Sequence, residues 1–269
     1  MKIKNYDFMD KQSFKLVVLG DLHLGDPLCD LDLIKETINF VKNTPDCYVI
    51  INGDIMNNAI INFKSDTISE TMTMEQQQDL AIELFYPIKE RILIIADGNH
   101  ENRTYKLTGI NPLRYVARAL DCLDKYAHET YLINIRMAYK GNSKNSSTFR
   151  IFGQHGSYGG GRKVGSAANA LQEMSSVVAN ANLYIRSHTH NHISFHDDCY
   201  IVSQYGNLIR HRRTYYNTMA FLKYGGYAAD KGYRLTDVAP SVLNIRICKQ
   251  FNKELKKDEV FFKTDIIKI

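Results

Sequence analysis

Five short polar motifs follow one another along this chain, each directly after an apolar run: Asp21-Leu22-His23, Gly53-Asp54, Gly98-Asn99-His100-Glu101, His155-Gly156 and His188-Thr189-His190. Carboxylate, amide oxygen and imidazole are the ligand types that suit Mn, Fe, Zn or Ni, rather than Ca or a thiolate-held metal. Asp21, His23, Asp54, Asn99, His155, His188 and His190, gathered on strand-end loops, are enough to hold two ions. Two cations roughly 3.5 to 4 Å apart can share one bridging carboxylate and one bridging hydroxide, lower the pKa of that water and clamp phosphoryl oxygens for in-line displacement. Asp54 is the choice for the bridge, because a carboxylate offers two oxygens and Gly53 lets the backbone turn sharply enough to present it. Taken singly, a D-x-H triplet or a G-D pair arises often by accident, and a buried His is more commonly a hydrogen-bonded core residue than a ligand. The ordered set is the signal.

Something must bring these loops together, and the intervening sequence supplies it. Residues 14–19 form a β-branched apolar run ended by Gly20, so Asp21 and His23 sit just past a strand. Leu31, Ile34, Ile38 and Val41 keep helical spacing, and residues 48–51 then read as a second buried strand that ends at Asn52-Gly53-Asp54. Residues 73–89 read as a helix, and residues 92–96 as a third strand running into Asp97-Gly98-Asn99-His100. A helix over 112–120, a strand pair over 130–139 and 147–152 joined by the polar connection 140–146, and a helix opening at Gly159-Gly160-Gly161 and running to Val178 follow. Residues 183–185 lead into the last histidine motif, and strand-like pieces lie at 200–203, 242–247 and 260–267. Alternating strands and helices predict a layered α/β architecture with functional groups at strand ends. No linker or internal repeat divides the chain, so one domain over residues 1–269 is expected, with the motifs in 15–190 and C-terminal strands from 192 onward completing it.

Composition narrows the classes. With 44% hydrophobic and 23% charged residues the chain is ordinary globular material. A net charge of +5, from 34 Lys and Arg against 29 Asp and Glu, tolerates a polyanionic partner without requiring one. The five cysteines are odd in number, scattered and without a C-x-x-C pair, which argues against a disulfide framework or a thiolate zinc site and for a reducing, cytoplasmic setting. The longest apolar runs are far too short to cross a bilayer, and no membrane partner is expected.

The five motifs, in this order, resemble the calcineurin-like metallophosphoesterase superfamily, whose pattern runs D-x-H, G-D-x-x-[ND], G-N-H-[DE], H and G-H-x-H. The resemblance covers residues 15–190 of 269 and leaves the C-terminal part unassigned. It implies a four-layer α-β-β-α sandwich with the site on one edge. Position by position it makes Asp21, His23 and His190 ligands of one metal and Asn99, His155 and His188 ligands of the other, with Asp54 bridging. It places His100 outside the ligand set, as the acid that protonates the leaving oxygen. Two divalent ions are implied as cofactors, with Mn ahead of Fe, Zn or Ni. There are two departures: Ser187 stands where Gly usually precedes the last motif, and Asn57 is followed by Asn58 rather than by the Arg that protein Ser/Thr phosphatases carry.

Softer candidates surround this set. Arg103 could reach a substrate phosphate through its fork of donors, although an exposed Arg near any site mouth is as common. Arg162 and Lys163 close a Gly-rich segment that reads equally as a substrate loop or as an ordinary connection. Arg210-His211-Arg212-Arg213 with Tyr215-Tyr216 interleaves basic and aromatic groups as single-strand nucleic-acid grooves do, yet such charge runs usually mark a solvated face. His192 and His196 are read as structural. The expected activity is hydrolysis of phosphate esters, with phosphodiesters (nuclease or nucleotide phosphodiesterase) placed ahead of monoesters (nucleotide or protein phosphatase). The resemblance is to compact phosphoesterases of bacteria and their phages, and the expected partner is a phosphate-ester substrate: DNA, RNA or a nucleotide. The rival from another class is a non-catalytic protein whose metals staple loops for nucleic-acid binding, against which the retention of His100 argues. A homodimer is compatible with the sequence and is not read from it.

Overall fold

The computed structural model describes residues 1–61, 67–157, 163–202, 206–226, 239–252 and 257–269, the side chains of 252 and 257 apart. In chain order the elements are β1 (Lys2–Phe8), β2 (Ser13–Leu19), α1 (Leu31–Asn43), β3 (Cys47–Asn52), α2 (Met74–Phe85), β4 (Ile92–Ala96), α3 (Asn99–Thr108), α4 (Pro112–Ala119), β5 (Tyr126–Ala127), β6 (Thr130–Ala138), β7 (Ser146–Gln154), α5 (Val164–Gln172), β8 (Leu183–Arg186), β9 (Ile193–Val202), β10 (Leu208–Asn217), β11 (Ser241–Asn252) and β12 (Lys257–Lys268).

The three apolar runs become the parallel centre of one sheet, ordered β12-β11-β2-β3-β4-β5, in which β11 and β12 add antiparallel strands. Both faces of β2, β3 and β4 are covered, which is why these strands read as continuous rather than alternating apolar stretches. Val17, Leu19, Val49 and Ile51 pack outward under Ile34, Ile38 and Val41 of α1, Leu84 and Phe85 of α2 and Val116 of α4. Their neighbours Leu16, Val18 and Ile50 turn the other way and meet Ile133, Ile135, Phe149 and Ile151 of the second sheet. That sheet, ordered β1-β6-β7-β8-β10-β9, is covered on its far side by α5, where Leu171 packs with Phe152, Tyr184 and Tyr215. Three apolar layers therefore separate four structural ones: the fold is the α-β-β-α sandwich.

Several elements differ from the sequence expectation, each for a physical reason. The helix expected over 73–89 ends at Phe85 and continues as a 3-10 turn, Tyr86–Arg91, because Pro87 lacks the N–H that an α-helix would use. The helix expected to run to Val178 stops at Gln172 and tightens into the turn Glu173–Ser176. Strand β1 was not expected. Its residues alternate between half-buried and exposed along one edge of the sheet, parallel to β6, and so carry no apolar run. Strand β10 passes through the basic and aromatic stretch 210–216, and β9 beside it is longer than the piece expected at 200–203. Among the described residues, no helix is long and apolar enough to cross a membrane.

The topology sets one end of both sheets aside for chemistry. Asp21 lies two residues beyond β2, Asp54 two beyond β3, Asn99 three beyond β4, His155 directly after β7 and His188 two beyond β8. Parallel strands deliver all five loops to a common edge.

Candidate metal centre

Backbone pairing continues past the strand ends and aligns the first two loops. Asp21 N donates to Gly53 O at 3.0 Å, His23 N to Asp54 O at 3.0 Å and Leu24 N to Ile55 O at 2.8 Å. The third loop is held by Glu101, fully buried in the first turn of α3. Its carboxylate accepts from the backbone N–H groups of Asp54 (3.0 Å), Ile55 (2.8 Å), Met56 (3.1 Å) and Gly98 (2.8 Å). Burial and the nearby Asp54 and Asp97 push the Glu101 pKa up to about 7, against the pull of those donors. Sequence reasoning gave Glu101 no role, although it is the last letter of the third motif. The glycines of the second and third motifs touch each other: a Cβ on Gly53, whose φ is +82°, would lie 2.5 Å from Gly98 N, and one on Gly98 would collide with Asp54. Close backbone approach, not only turn geometry, explains why both positions are glycine.

The side chains converge in three overlapping groups: Asp21, His23 and His190; Asp54, His155 and His188; and His23, Asp54 and His100. Within each group the nearest ligand atoms all lie within 4.8 Å of one another. In the first, His190 Nε2 is 3.3 Å from both Asp21 Oδ1 and His23 Nε2. In the second, His155 Nε2 is 3.1 Å from Asp54 Oδ2 and 3.2 Å from Asn99 Oδ1. Asp54 and His23 each belong to two groups. All seven expected ligands are thus brought together. Five of them hold left-handed backbone: Asp21 (φ 54°), His23 (49°), Asp54 (50°), His188 (70°) and His190 (55°). Such φ values are uncommon for non-glycine residues, and where they cluster they mark a backbone shaped by its site.

The electrostatics call for cations. Asp21 and Asp54 are buried, and no Lys or Arg pairs with either among the described residues. Burial raises both carboxyls, but His190 and His155 beside Asp21, and His155 and His100 beside Asp54, outweigh it, and Asp54 ends well below the usual carboxylate range. Burial lowers His155, yet Asp54 and Asp21 push it up to about 10; His190 is raised by Asp21 in the same way. Burial leaves His188 at about 4 and holds His23 well below its ordinary value, so these two rings present bare nitrogens. His155 Nδ1 donates to Asn52 O at 2.7 Å, which turns its Nε2 toward the cluster. Two buried negative charges ringed by imidazole nitrogens and an amide oxygen fit a pair of divalent cations, with backbone partners orienting the ligands.

His100 stands at the rim. Its backbone N donates to Asp54 Oδ1 at 2.9 Å, so the amino end of α3 points at that carboxylate. Its Nδ1 bonds Asn57 O at 2.5 Å and its Nε2 faces Arg103 Nη2 at 2.7 Å. Arg103 also reaches Asn57 O and Asn58 O at 3.3 and 3.4 Å. Asn58, in the place of the protein-phosphatase Arg, donates to His100 O at 2.5 Å and accepts from Thr104 Oγ1 at 3.0 Å, tying the second motif to α3.

The remaining candidates lie elsewhere. Arg162 is outside the described residues, and Lys163 is exposed, with no hydrogen bond or ion pair linking it to the cluster among them. The basic and aromatic stretch 210–216 lies on β10, beside β9. Arg210 and Arg212 pair with Asp198 and Arg213 with Asp197, across to β9, while His211, Tyr215 and Tyr216 are buried. His192 bonds Ser241 and His196 bonds Thr214, as structural residues do.

Residues 14–192 match the family model of the calcineurin-like phosphoesterases. Among solved structures the chain is similar to Vps29 of Chaetomium thermophilum, with 11% identity and a TM-score of 0.42 over 95% of this chain and 98% of that one. It is also similar to GAP50, the anchor in the inner membrane complex of Plasmodium, with 10% identity and a TM-score of 0.42 over 94% and 84%. No curated protein matches the chain. With its sandwich fold, its cluster of Asp and His groups and a family match over residues 14–192 of 269, the chain belongs to the calcineurin-like phosphoesterases, metal-dependent hydrolases of phosphate esters that bind two divalent ions.

Proposed function

We propose that the chain hydrolyses phosphodiesters, with Asp21, His23 and His190 holding one divalent ion, Asn99, His155 and His188 the other, and Asp54 shared between them. The observation that supports this reading is the overlap of the ligand groups: Asp54 belongs both to a group with His155 and His188 and to one with His23, which also sits with Asp21 and His190. Two bound divalent ions supply Lewis acidity toward phosphoryl oxygens and lower the pKa of water.

The chain's own residues do the rest. His100 delivers a proton from Nε2 to the departing oxygen, its ring held in plane by the Nδ1 bond to Asn57 O. Burial first, and then Arg103, lower the pKa of His100, while Asp54 opposes them, so the anionic substrate itself favours the charged ring. Arg103 turns its fork of donors from His100 Nε2 to a phosphoryl oxygen. With Asn58 where protein phosphatases place an arginine, Arg103 is, among the described residues, the Lys or Arg side chain bonded to His100 at the cluster's rim, which suits the single negative charge of a diester better than the two of a monoester. The ion pairs of Arg210, Arg212 and Arg213 weaken the idea of a polyanion track along β10, so the diester reading rests on the site itself.

The test is turnover with Mn²⁺ on a chromogenic bis-ester and on the matching monoester, for wild type and His100→Ala. Faster diester cleavage is expected. His100→Ala should keep its metal and lose about 100- to 10,000-fold in kcat, the scale for removing a general acid. A preference for the monoester refutes the substrate assignment, and metal loss on His100→Ala makes that residue a ligand instead.

A further inference from the structure

Beneath the cluster runs a buried polar chain that none of the five motifs contains in full. Ser187 is fully buried, and its Oγ lies 2.6 Å from Asn52 Nδ2 and 2.9 Å from Thr218 Oγ1. Thr218 Oγ1 is in turn 3.5 Å from Asp21 Oδ2. An amide NH₂ can only donate and a carboxylate can only accept, and each hydroxyl has one proton. All three contacts are therefore satisfied together in one direction: Asn52 to Ser187, Ser187 to Thr218, Thr218 to Asp21. Asn52 belongs to β3 and is anchored at its other end by Tyr131 of the facing sheet, whose hydroxyl donates to Asn52 Oδ1 at 2.9 Å. The same Asn52 offers its backbone carbonyl to His155 Nδ1. One end of the chain thus touches a member of the first ligand set and the other end a member of the second.

The sequence makes room for this chain in an unusual way. Where the family pattern has glycine, this protein has Ser187, and the space its hydroxyl fills is left free by Gly20. A Cβ on Gly20 would lie 2.6 Å from Ser187 Oγ and 3.3 Å from Asn52 O. Gly20 sits at the end of β2 just ahead of Asp21, and Ser187 just ahead of His188, whose backbone N donates to Asp21 at 3.0 Å. The two positions face each other across the two sheets, directly under the ligands.

We propose that Ser187 is a positioning residue of the metal centre: its hydroxyl, seated in the room left by Gly20, joins Asn52 to Thr218 and thereby holds the His155 and Asp21 loops at one spacing. The inference rests on the ligand assignment above and adds to it a residue that contacts neither metal nor substrate. A hydroxyl used only for core packing would contribute to stability and leave metal affinity unchanged. A hydroxyl that fixes the ligands contributes to affinity in protein that is already folded.

The test is Mn²⁺ binding to metal-free protein by calorimetry, well below its melting temperature, together with that melting temperature. The variants are Ser187→Ala, Thr218→Val, Gly20→Ala, Ser187→Gly and the double change Gly20→Ala/Ser187→Gly. Ser187→Ala should lose about 10- to 100-fold in affinity, the range for partners that orient metal ligands, with a melting temperature within a few degrees of wild type. Thr218→Val, which leaves Ser187 in place, should give a loss of similar size and keeps the idea testable if the serine variant folds poorly. Gly20→Ala should lower the melting temperature in the wild type and much less beside Ser187→Gly, because the added methyl then has room. Wild-type affinity in both Ser187→Ala and Thr218→Val, or an equal Gly20→Ala penalty in both backgrounds, overturns the inference while the ligand assignment stands. Failure of the wild type to bind Mn²⁺ overturns both.

Discussion

Filling the metal centre should expel protons, and the electrostatics point to His155 as a group that gives one up. His155 is buried, and Asp54 and Asp21 lift its pKa from 6.5 to about 10, so in metal-free protein at pH 7 it carries a proton that a bound cation must displace. Three pH units below that pKa, at 1.36 kcal/mol per unit, the proton competes with about 4 kcal/mol, or roughly a thousandfold in apparent affinity. Affinity should therefore rise about tenfold per pH unit from 7 toward 10 for this one proton. His190, raised by Asp21, adds to the effect. Stability of the metal-free protein should respond in the opposite sense. The raised His155 contributes stability that is fully present below pH 6.5 and lost as pH climbs to about 10. The lowered His188 removes stability as pH falls from 6.5 to about 4. Their joint contribution peaks near pH 6.5. Calorimetric Mn²⁺ titrations at pH 7 in buffers of different ionisation enthalpy measure the count directly: the observed heat should vary with buffer enthalpy with a slope of at least one proton, and Asp54→Asn should reduce it. A slope of zero with two Mn²⁺ bound would refute the reasoning.

Two further outcomes follow from the loops. Glu101→Gln replaces a carboxylate that accepts four backbone N–H bonds with a group whose NH₂ must face donors, and chemical denaturation should show a loss of about 3 kcal/mol together with weakened metal binding. Gly98→Ala drives a methyl into Asp54 and should abolish turnover and lower stability by at least the roughly 1 to 3 kcal/mol of an overpacked core; an active, stable Gly98→Ala protein would show that the two glycines do not touch.

What the sequence disclosed, and what it hid, divides along physical lines. Runs such as Val17–Leu19 and Ile92–Ile95 were legible because a strand buried on both faces must be apolar throughout, and the ligand loops were legible because they begin where those runs stop. Strand β1 was hidden because an edge strand with one wet face needs no such run. The partners of Arg210, Arg212 and Arg213 were hidden because a single sequence shows a block of charge and not Asp197 and Asp198, which pair with it only once β9 and β10 form a ladder. Glu101 and Ser187 escaped a role for a related reason. Each acts on backbone or side chains brought close by the fold, and nothing in local spacing says that Glu101 will meet residues 54–56 or that Ser187 will meet Gly20.

The distribution of unfavourable terms explains how such a site persists. Left-handed backbone at five ligand residues, each carrying a strain of order 1 to 3 kcal/mol at the general scale and less for Asp and His, concentrates conformational stress on the same loops that hold two buried carboxylates and the bare rings of His23 and His188. Leu22 and Leu24 of the first loop and Ile55 and Met56 of the second anchor in the outer core, while the polar ligand side chains themselves bury no apolar surface. What fixes them is the pair of sheets behind: β2, β3 and β4 lie in a core whose residues are almost wholly inaccessible, and β7 and β8 lie opposite. The strain is thus placed where the scaffold is least able to relax. Cation binding then recovers part of it, because a ligand present at 100 times its Kd adds about 2.7 kcal/mol to the folded state. A metal-free protein that keeps its sheets while its five loops exchange amide hydrogens faster than the strands is the behaviour this arrangement requires, since opening the loops releases strain and charge repulsion while opening the strands exposes the core.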